Sequence, residues 1–77
     1  MTFAELKNKI IEDETEFTIE IYEDVGADQT EIDKVIGDIT SEINSYQTPS
    51  ELIWFFVARG YNESDAVNTL FDYLIEK

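Results

Sequence analysis

Hydrophobic residues recur at helical spacing from the start of the chain. Leu6 and Ile10 lie four residues apart, behind a Thr2-x-x-Glu5 pattern. That pattern is typical of a capping box, in which the Thr and Glu side chains satisfy the first free amides of a helix. The spacing predicts a first helix over residues 2–12.

Three more helices are predicted in the second part of the chain, and each follows a capping residue. Asp28 and Asn62 are good N-caps, and Thr48-Pro49-Ser-Glu51 combines an N-cap, a Pro suited to the first helical position and a closing Glu. The first of these helices carries the most regular apolar stripe, formed by Ile32, Val35, Ile36, Ile39 and Ile43. The three predicted helices cover residues 29–46, 49–59 and 63–76.

The segment 16–22 fits two structures. Apolar and polar residues alternate there with a period of two, in residue types that favour strands. A helical interpretation places Phe17, Ile21 and Val25 at four-residue spacing, but it leaves Ile19 on the polar side. We therefore expect a short extended segment, which needs a second copy or a partner to supply an edge, because no other segment alternates as well.

The predicted fold class is mainly α: one compact domain, residues 1–77, with about four helices and one extended segment, or α+β if that strand is paired. A chain of 77 residues is about the size of a single small domain. Ten aromatic residues argue for a packed core rather than disorder. The expected core residues are Ile10, Phe17, Ile21, Ile32, Val35, Ile36, Ile39, Ile43, Leu52, Phe56, Val67, Leu70, Phe71 and Leu74.

Nearly all of the net charge of −13 lies in one block, residues 12–42. This block holds twelve carboxylates and one cation, Lys34. Self-repulsion opposes folding, so stability should rise with salt and with a modest fall in pH below neutrality. A charge this large exceeds the value of about −2 to −8 that solubility usually requires in a small domain, which favours use of the block in binding over solubility alone.

The composition excludes several kinds of chemistry. The chain contains no cysteine and no histidine, so disulfides, thiolate catalysis and the commonest general base are ruled out. It also has no Gly-rich phosphate loop and no nucleophile motif. We therefore expect no enzyme activity and no cofactor. No apolar run approaches about 18 residues, and no signal-peptide core precedes the first helix, so a cytoplasmic protein is expected.

The acidic helix 29–46 suggests how the block could act. Glu31, Asp38 and Glu42 fall within about 40° of each other around a helix. Such a row of carboxylates resembles a line of nucleic-acid phosphates, and Lys and Arg residues that bind DNA or RNA could accept it. An ordinary solvated helix face is the alternative.

The aromatic run 54–56 supplies a further candidate. Three adjacent aromatics cannot all face one core, so Trp54 should point elsewhere, either packing on the 16–22 segment or serving as an interface anchor. The candidate partner-binding residues are Glu12, Asp13, Glu14, Glu16, Glu20, Glu23, Asp24, Asp28, Glu31, Asp38, Glu42 and Trp54.

A calcium site is a weaker possibility in the same block. Asp24, Asp28, Glu31 and Asp33 offer the oxygen ligands that Ca²⁺ prefers. Gly26 comes too early for the loop of an EF-hand, in which Gly takes the sixth position. No specific metal site is therefore predicted.

The stretch Ile21-Tyr-Glu-Asp-Val-Gly-Ala-Asp28, followed by an acidic helix, resembles the region before helix two of acyl carrier proteins. Chain length, acidity and a four-helix order are similar as well. In that family the phosphopantetheine serine directly follows the Asp, and here Gln29 occupies its position. The resemblance implies a carrier-like bundle that cannot carry an acyl group at this position.

Three other segments resemble parts of the ArdA-type antirestriction proteins, which imitate DNA and occupy restriction enzymes. Where that family has a Leu-Asn pair, this chain has Leu52-Ile53, and it is much shorter. The resemblance implies an acidic inhibitor. The three segments are Phe3-Ala-Glu-Leu-Lys, Phe17-Thr-Ile-Glu-Ile-Tyr-Glu and Ile43-Asn-Ser-Tyr-Gln-Thr-Pro-Ser-Glu-Leu52.

The sequence thus predicts a small acidic inhibitor of antirestriction or anti-CRISPR type, encoded by a phage or mobile element and acting in the host cytosol. Its expected partner is a basic protein surface, that of a nucleic-acid-binding nuclease or its complex, with no direct contact to nucleic acid or membrane. Whether the chain forms a homodimer is left open by the sequence. The alternatives are an acidic carrier-like or adaptor bundle that docks on a basic patch of an enzyme, and a structural phage protein that is acidic for solubility alone.

Overall fold

Four α-helices build the fold of the computed structural model, which describes residues 1–75. The described residues contain no strand, which confirms a mainly α bundle. A 3₁₀ turn, Pro49–Glu51, leads directly into the third helix. The helices are α1 (Phe3–Asp24), α2 (Gln29–Ser45), α3 (Leu52–Val57) and α4 (Glu63–Ile75).

Helix α1 corrects two predictions, because it runs without a break through residues 12–22. The first helix does not end at residue 12, and the segment 16–22 is not extended. The period-two pattern misled because Glu14 occupies the apolar side of the helix, where the four-residue repeat from Leu6 and Ile10 calls for a hydrophobic residue.

Helix ends follow the capping signals closely. Thr2 and Glu5 form the complete predicted capping box, and the side chains of Asp28 and Asn62 accept the amides of Glu31 and Asp65 at 2.9 and 2.8 Å.

Gly26 ends α1 as its C′ residue, with a φ of 81°. The amide of Ala27 donates to the Tyr22 carbonyl and the amide of Gly26 donates to the Glu23 carbonyl, which is the Schellman arrangement. Gly60 repeats this arrangement after α3, with a φ of 99°.

The region 49–59 differs from its prediction. Only Leu52–Val57 is α-helical, and the Thr48 side chain caps no amide. Instead, the Glu51 carboxylate accepts hydrogen bonds from the backbone amide of Gln47 at 3.2 Å and from the Thr48 hydroxyl at 3.4 Å. Helix α2 is one residue shorter than predicted, and the predicted end of α4, residue 76, lies outside the described residues.

The main core is formed where α3 packs on α4 and on the first half of α1. Its buried members are Leu6, Ile10, Ile43, Leu52, Phe55, Phe56, Ala66 and Leu70. The rings of Phe55 and Phe56 pack edge to face, with centroids 5.3 Å apart. Helix α1 contributes only residues 3–11 to this cluster and its periphery, so its second half packs mainly on α2, where Thr18 and Ile32 are buried.

The predicted core list is therefore correct only in part. Ile10, Ile32, Ile43, Leu52, Phe56 and Leu70 are buried as expected. The half-buried members are Val35, Ile36, Ile39 and Val67. The prediction was wrong for four side chains that are exposed: Phe17, Ile21, Phe71 and Leu74. Four buried residues were absent from the list: Leu6, Thr18, Phe55 and Ala66.

Gly37 offers a direct test of the helix assignment. It lies exposed in the middle of α2, and a Cβ added there would meet nothing within 4 Å. Gly37→Ala should stabilise the protein by roughly 0.5–1 kcal/mol through helix propensity and raise the Tm by about 2–8 °C. Thermal unfolding followed by circular dichroism measures the shift.

Gly60→Ala is the matched control, since a side chain at a φ of 99° is strained. It should destabilise the protein by roughly 1–2 kcal/mol. A lower Tm for Gly37→Ala would contradict the placement of this residue inside a regular helix.

Candidate partner-binding surface

The continuous α1 gathers six predicted partner-binding carboxylates on one side of a single helix. At 100° per residue they span about 120° of the helix circumference. All six are exposed, and they are Glu12, Asp13, Glu16, Glu20, Glu23 and Asp24. We call this set the α1 acidic row. The predicted elements divided these residues among the end of the first helix, the extended segment 16–22 and the connection after it.

The mean axial spacing of the row is close to that of phosphates along one nucleic-acid strand, with individual steps of about 1.5 to about 6 Å. From Glu12 to Asp24 the helix rises about 18 Å, which gives about 3.6 Å per carboxylate for the six. One strand of B-DNA carries a charge every 3.4 Å of axis. The row is therefore a linear array of negative charge with a phosphate-like density.

The row is unfavourable for the helix that carries it. Glu16 lies four residues from both Glu12 and Glu20, and Glu20 lies four residues from Asp24. Each like-charged pair costs about 0.2–0.5 kcal/mol. The last turn of α1 contains no basic residue to complement the helix dipole. Local helix stability thus does not account for these acidic residues.

On α2, the predicted acidic face is less uniform. Glu31 and Asp38 are exposed, and the Asp28 side chain is engaged in capping the helix. The Glu42 carboxylate contacts the Arg59 guanidinium at 3.0 Å, the single salt bridge within residues 1–75. Part of the charge of Glu42 is therefore neutralised within the chain.

Arg59 is held in place by more than this salt bridge. Its guanidinium lies 3.6 Å from the centre of the Phe55 ring and donates to the Phe55 carbonyl at 3.2 Å. The Tyr46 hydroxyl also donates to Glu42, at 3.3 Å. This cluster fixes the end of α3 against α2.

An open groove of about 620 Å³ runs between the second half of α1 and α2. Its apolar lining comes from both helices, with Phe17 and Ile21 on α1 and Val35 and Ile39 on α2. The polar residues that complete the lining are Asp13, Glu14, Thr18, Tyr22, Arg59 and Tyr61. We call this feature the α1–α2 groove. This groove is not predicted from the sequence, because the apolar pattern places Phe17 and Ile21 in the core.

Glu14 differs from the rest of the acidic block, since it faces the groove rather than the acidic row. Burial raises the pKa of its carboxyl above the ordinary value of 4.5, the positive charge of Arg59 opposes this, and Asp13 adds to it. Glu14 is thus a half-buried acid on the apolar side of α1.

Asp13, a member of the row, also interacts with a residue of α4. Burial raises the pKa of the Tyr73 hydroxyl on α4, and the neighbouring Asp13 carboxylate raises it further. Asp13 therefore faces α4 in part, and it is less available to a partner than the other members of the row.

Trp54 points away from the core, as predicted, with 57% of its surface exposed. Trp54 is not among the residues that line the α1–α2 groove beside Phe17 and Ile21. Phe71, Leu74 and Ile75 on α4 are exposed as well. A smaller groove of about 170 Å³ lies beside them, and its lining contains no charged residue.

Within residues 1–75, no cluster of three or more acidic side chains is arranged to hold a metal ion. None of the helices in this part of the chain is both long and apolar enough to cross a membrane. Comparisons with protein-family models, with curated proteins and with solved structures find no match to the chain.

The half-buried Glu14 gives a prediction with a defined pH dependence. Because its folded-state pKa is raised, ionisation destabilises the fold as pH rises through that pKa, and the cost is absent below the unfolded value of 4.5. Glu14→Gln should therefore raise the Tm at pH 7, and the gain should vanish as the pH falls below about 4.

Glu16→Gln, which removes the same charge from an exposed position two residues away, serves as the control. Its effect on Tm at pH 7 should be limited to the relief of repulsion from Glu12 and Glu20, so a larger gain for Glu14→Gln reports the cost of burial. A Tm for Glu14→Gln below that of the parent protein at pH 7 would mean that attraction to Arg59 outweighs the cost of burial.

Proposed function

We propose that this protein is an acidic inhibitor that occupies the basic nucleic-acid-binding groove of a host defence enzyme and competes there with DNA or RNA. The observation that carries the proposal is the α1 acidic row, in which six exposed carboxylates follow one helix face at about 3.6 Å of axis per charge. Such an inhibitor would be of the antirestriction or anti-CRISPR type.

In this mechanism the row pairs with Lys and Arg side chains that otherwise hold phosphates. The array is formed before the partner arrives, because the second half of α1 is held in helical form by its packing on α2. A net charge of −13 steers association with a basic surface, so binding should be fast and sensitive to salt. Trp54, which is exposed on α3, is available as an apolar anchor in addition to the ionic contacts.

A second candidate function is an adaptor in which α2 docks on a basic patch of an enzyme that has no nucleic-acid role. It is supported by Glu31 and Asp38, which are exposed on one face of α2 and have no salt bridge within residues 1–75. Binding would weaken with rising salt in both mechanisms, so salt dependence does not distinguish them. Competition with nucleic acid separates them.

Capture of partners from a bacterial lysate, with and without excess heparin or duplex DNA, is the experiment that decides. The proposal expects a nucleic-acid enzyme to be captured from the lysate and released by either polyanion. A partner that survives both competitors would favour the adaptor and contradict phosphate mimicry.

Substitutions in the row test the same mechanism at the level of side chains. The combined change Glu16→Gln, Glu20→Gln and Glu23→Gln should weaken binding to the captured enzyme about tenfold to hundredfold, since each exposed ion pair contributes roughly 0.5–1 kcal/mol. Isothermal titration calorimetry at 0.15 M NaCl measures the change.

The control removes three charges from α4 instead, through Glu63→Gln, Asp65→Asn and Asp72→Asn. All three side chains are exposed, so net charge changes equally while the row is kept. Equal losses of affinity for the two triple variants would show that net charge matters rather than the row, and would overturn the proposed role of α1.

A further inference from the structure

The α1–α2 groove exposes more apolar surface than a purely ionic mechanism requires. Phe17 and Ile21 are 59% and 42% exposed, although they lie on the apolar side of α1. They line the groove with Val35 and Ile39, and the 620 Å³ volume is on the scale of sites that bury a ligand or a partner side chain. The open groove thus has room for an apolar face from another molecule.

Carboxylates border this apolar floor along both helices. On α1, Asp24 and Glu20 lie within about 20° and 60° of Phe17 around the helix. On α2, Glu31 and Asp38 lie within about 40° and 60° of Val35. The chain's own cation in the groove, Arg59, is paired with Glu42. The apolar floor is therefore flanked by negative charge on either side.

The charge pattern selects the occupant. A second copy of this chain would bring another −13 and its own acidic borders to the groove, so repulsion opposes self-association. An uncharged apolar segment would leave the carboxylates without partners. An amphipathic helix with Lys or Arg on both flanks of its apolar stripe matches both the floor and the borders.

We propose that the α1–α2 groove is a docking site for a cationic amphipathic helix of a partner protein. The apolar side chains of that helix lie on Phe17, Ile21, Val35 and Ile39, and its flanking cations lie against the carboxylates of α1 and α2. Docking of this kind needs no competition with nucleic acid, so it goes beyond the proposed function and can stand or fail separately from it.

The test uses a synthetic 18-residue peptide of Lys and Leu whose Leu residues recur at helical spacing. Its control has the same composition in a scrambled order without an apolar face. Binding to the full chain is followed by fluorescence anisotropy at 0.15 M NaCl. The helical peptide should bind at least about tenfold more tightly than the scrambled one, because only its Leu residues can reach the floor together.

Two matched double variants locate the site. Phe17→Ser with Ile21→Ser removes apolar side chains from the floor, and Phe71→Ser with Leu74→Ser removes two that are equally exposed, at 56% and 46%, beside the uncharged groove on α4. The first pair should weaken binding of the helical peptide about tenfold or more, and the second should change it less than about twofold. Circular dichroism confirms that both variants remain folded.

Three results would overturn the inference. They are equal binding of the two peptides, an equal effect of the two double variants, and a dimer of the parent chain at low salt that the Phe17→Ser, Ile21→Ser variant abolishes in sedimentation. If the peptides bind as expected while heparin fails to release any captured enzyme, the docking site in the groove is supported and phosphate mimicry is contradicted.

Discussion

The fold depends on the packing of one long amphipathic helix against the rest of the chain. An isolated helix with the charge of α1 would be marginal in water, since most helical stability in proteins comes from tertiary packing. Leu6 and Ile10 anchor its first half in the main core, and Thr18 lies buried in its second half, which packs mainly on α2. Because these contacts fix the rotation of α1, they also fix which way its carboxylates point.

The anchoring is uneven along α1, and the candidate surfaces lie where it is weakest. Residues 3–11 contact the main core, whereas the second half of the helix rests chiefly on α2. The second half carries the acidic row on one side and the exposed Phe17 and Ile21 on another. The two surfaces share the same 13-residue stretch, so a partner that binds this stretch could use ionic and apolar contacts together.

Much of the fold could be predicted from local signals in the sequence. Thr2, Asp28 and Asn62 cap helices as their types and positions indicate. The stripe from Ile32 to Ile43 correctly predicts α2. These features succeed because each depends on interactions among residues close in sequence.

The errors arise where distant contacts decide the outcome. Alternation in 16–22 favours a strand, yet packing of Thr18 and Ile32 between α1 and α2 makes the segment helical. Glu14 hides the repeat because a half-buried acid stands at an apolar position. The groove could not be predicted, since it forms only when α1 and α2 lie side by side and leaves Phe17 and Ile21 exposed among residues 1–75. The acidic block was predicted from composition, whereas the placement of six of its carboxylates on one side of a single helix was not.

Continuity of α1 through residues 12–24 is the claim on which the acidic row and the groove both depend. Backbone NMR of the labelled protein tests it most directly, through Cα chemical shifts and amide hydrogen exchange across this stretch. Helical Cα shifts from Glu12 to Glu23, with protected amides at Thr18 and Ile21, are the predicted result. Extended-type shifts over residues 16–22, or amides there that exchange as fast as those of an unfolded chain, would contradict the account.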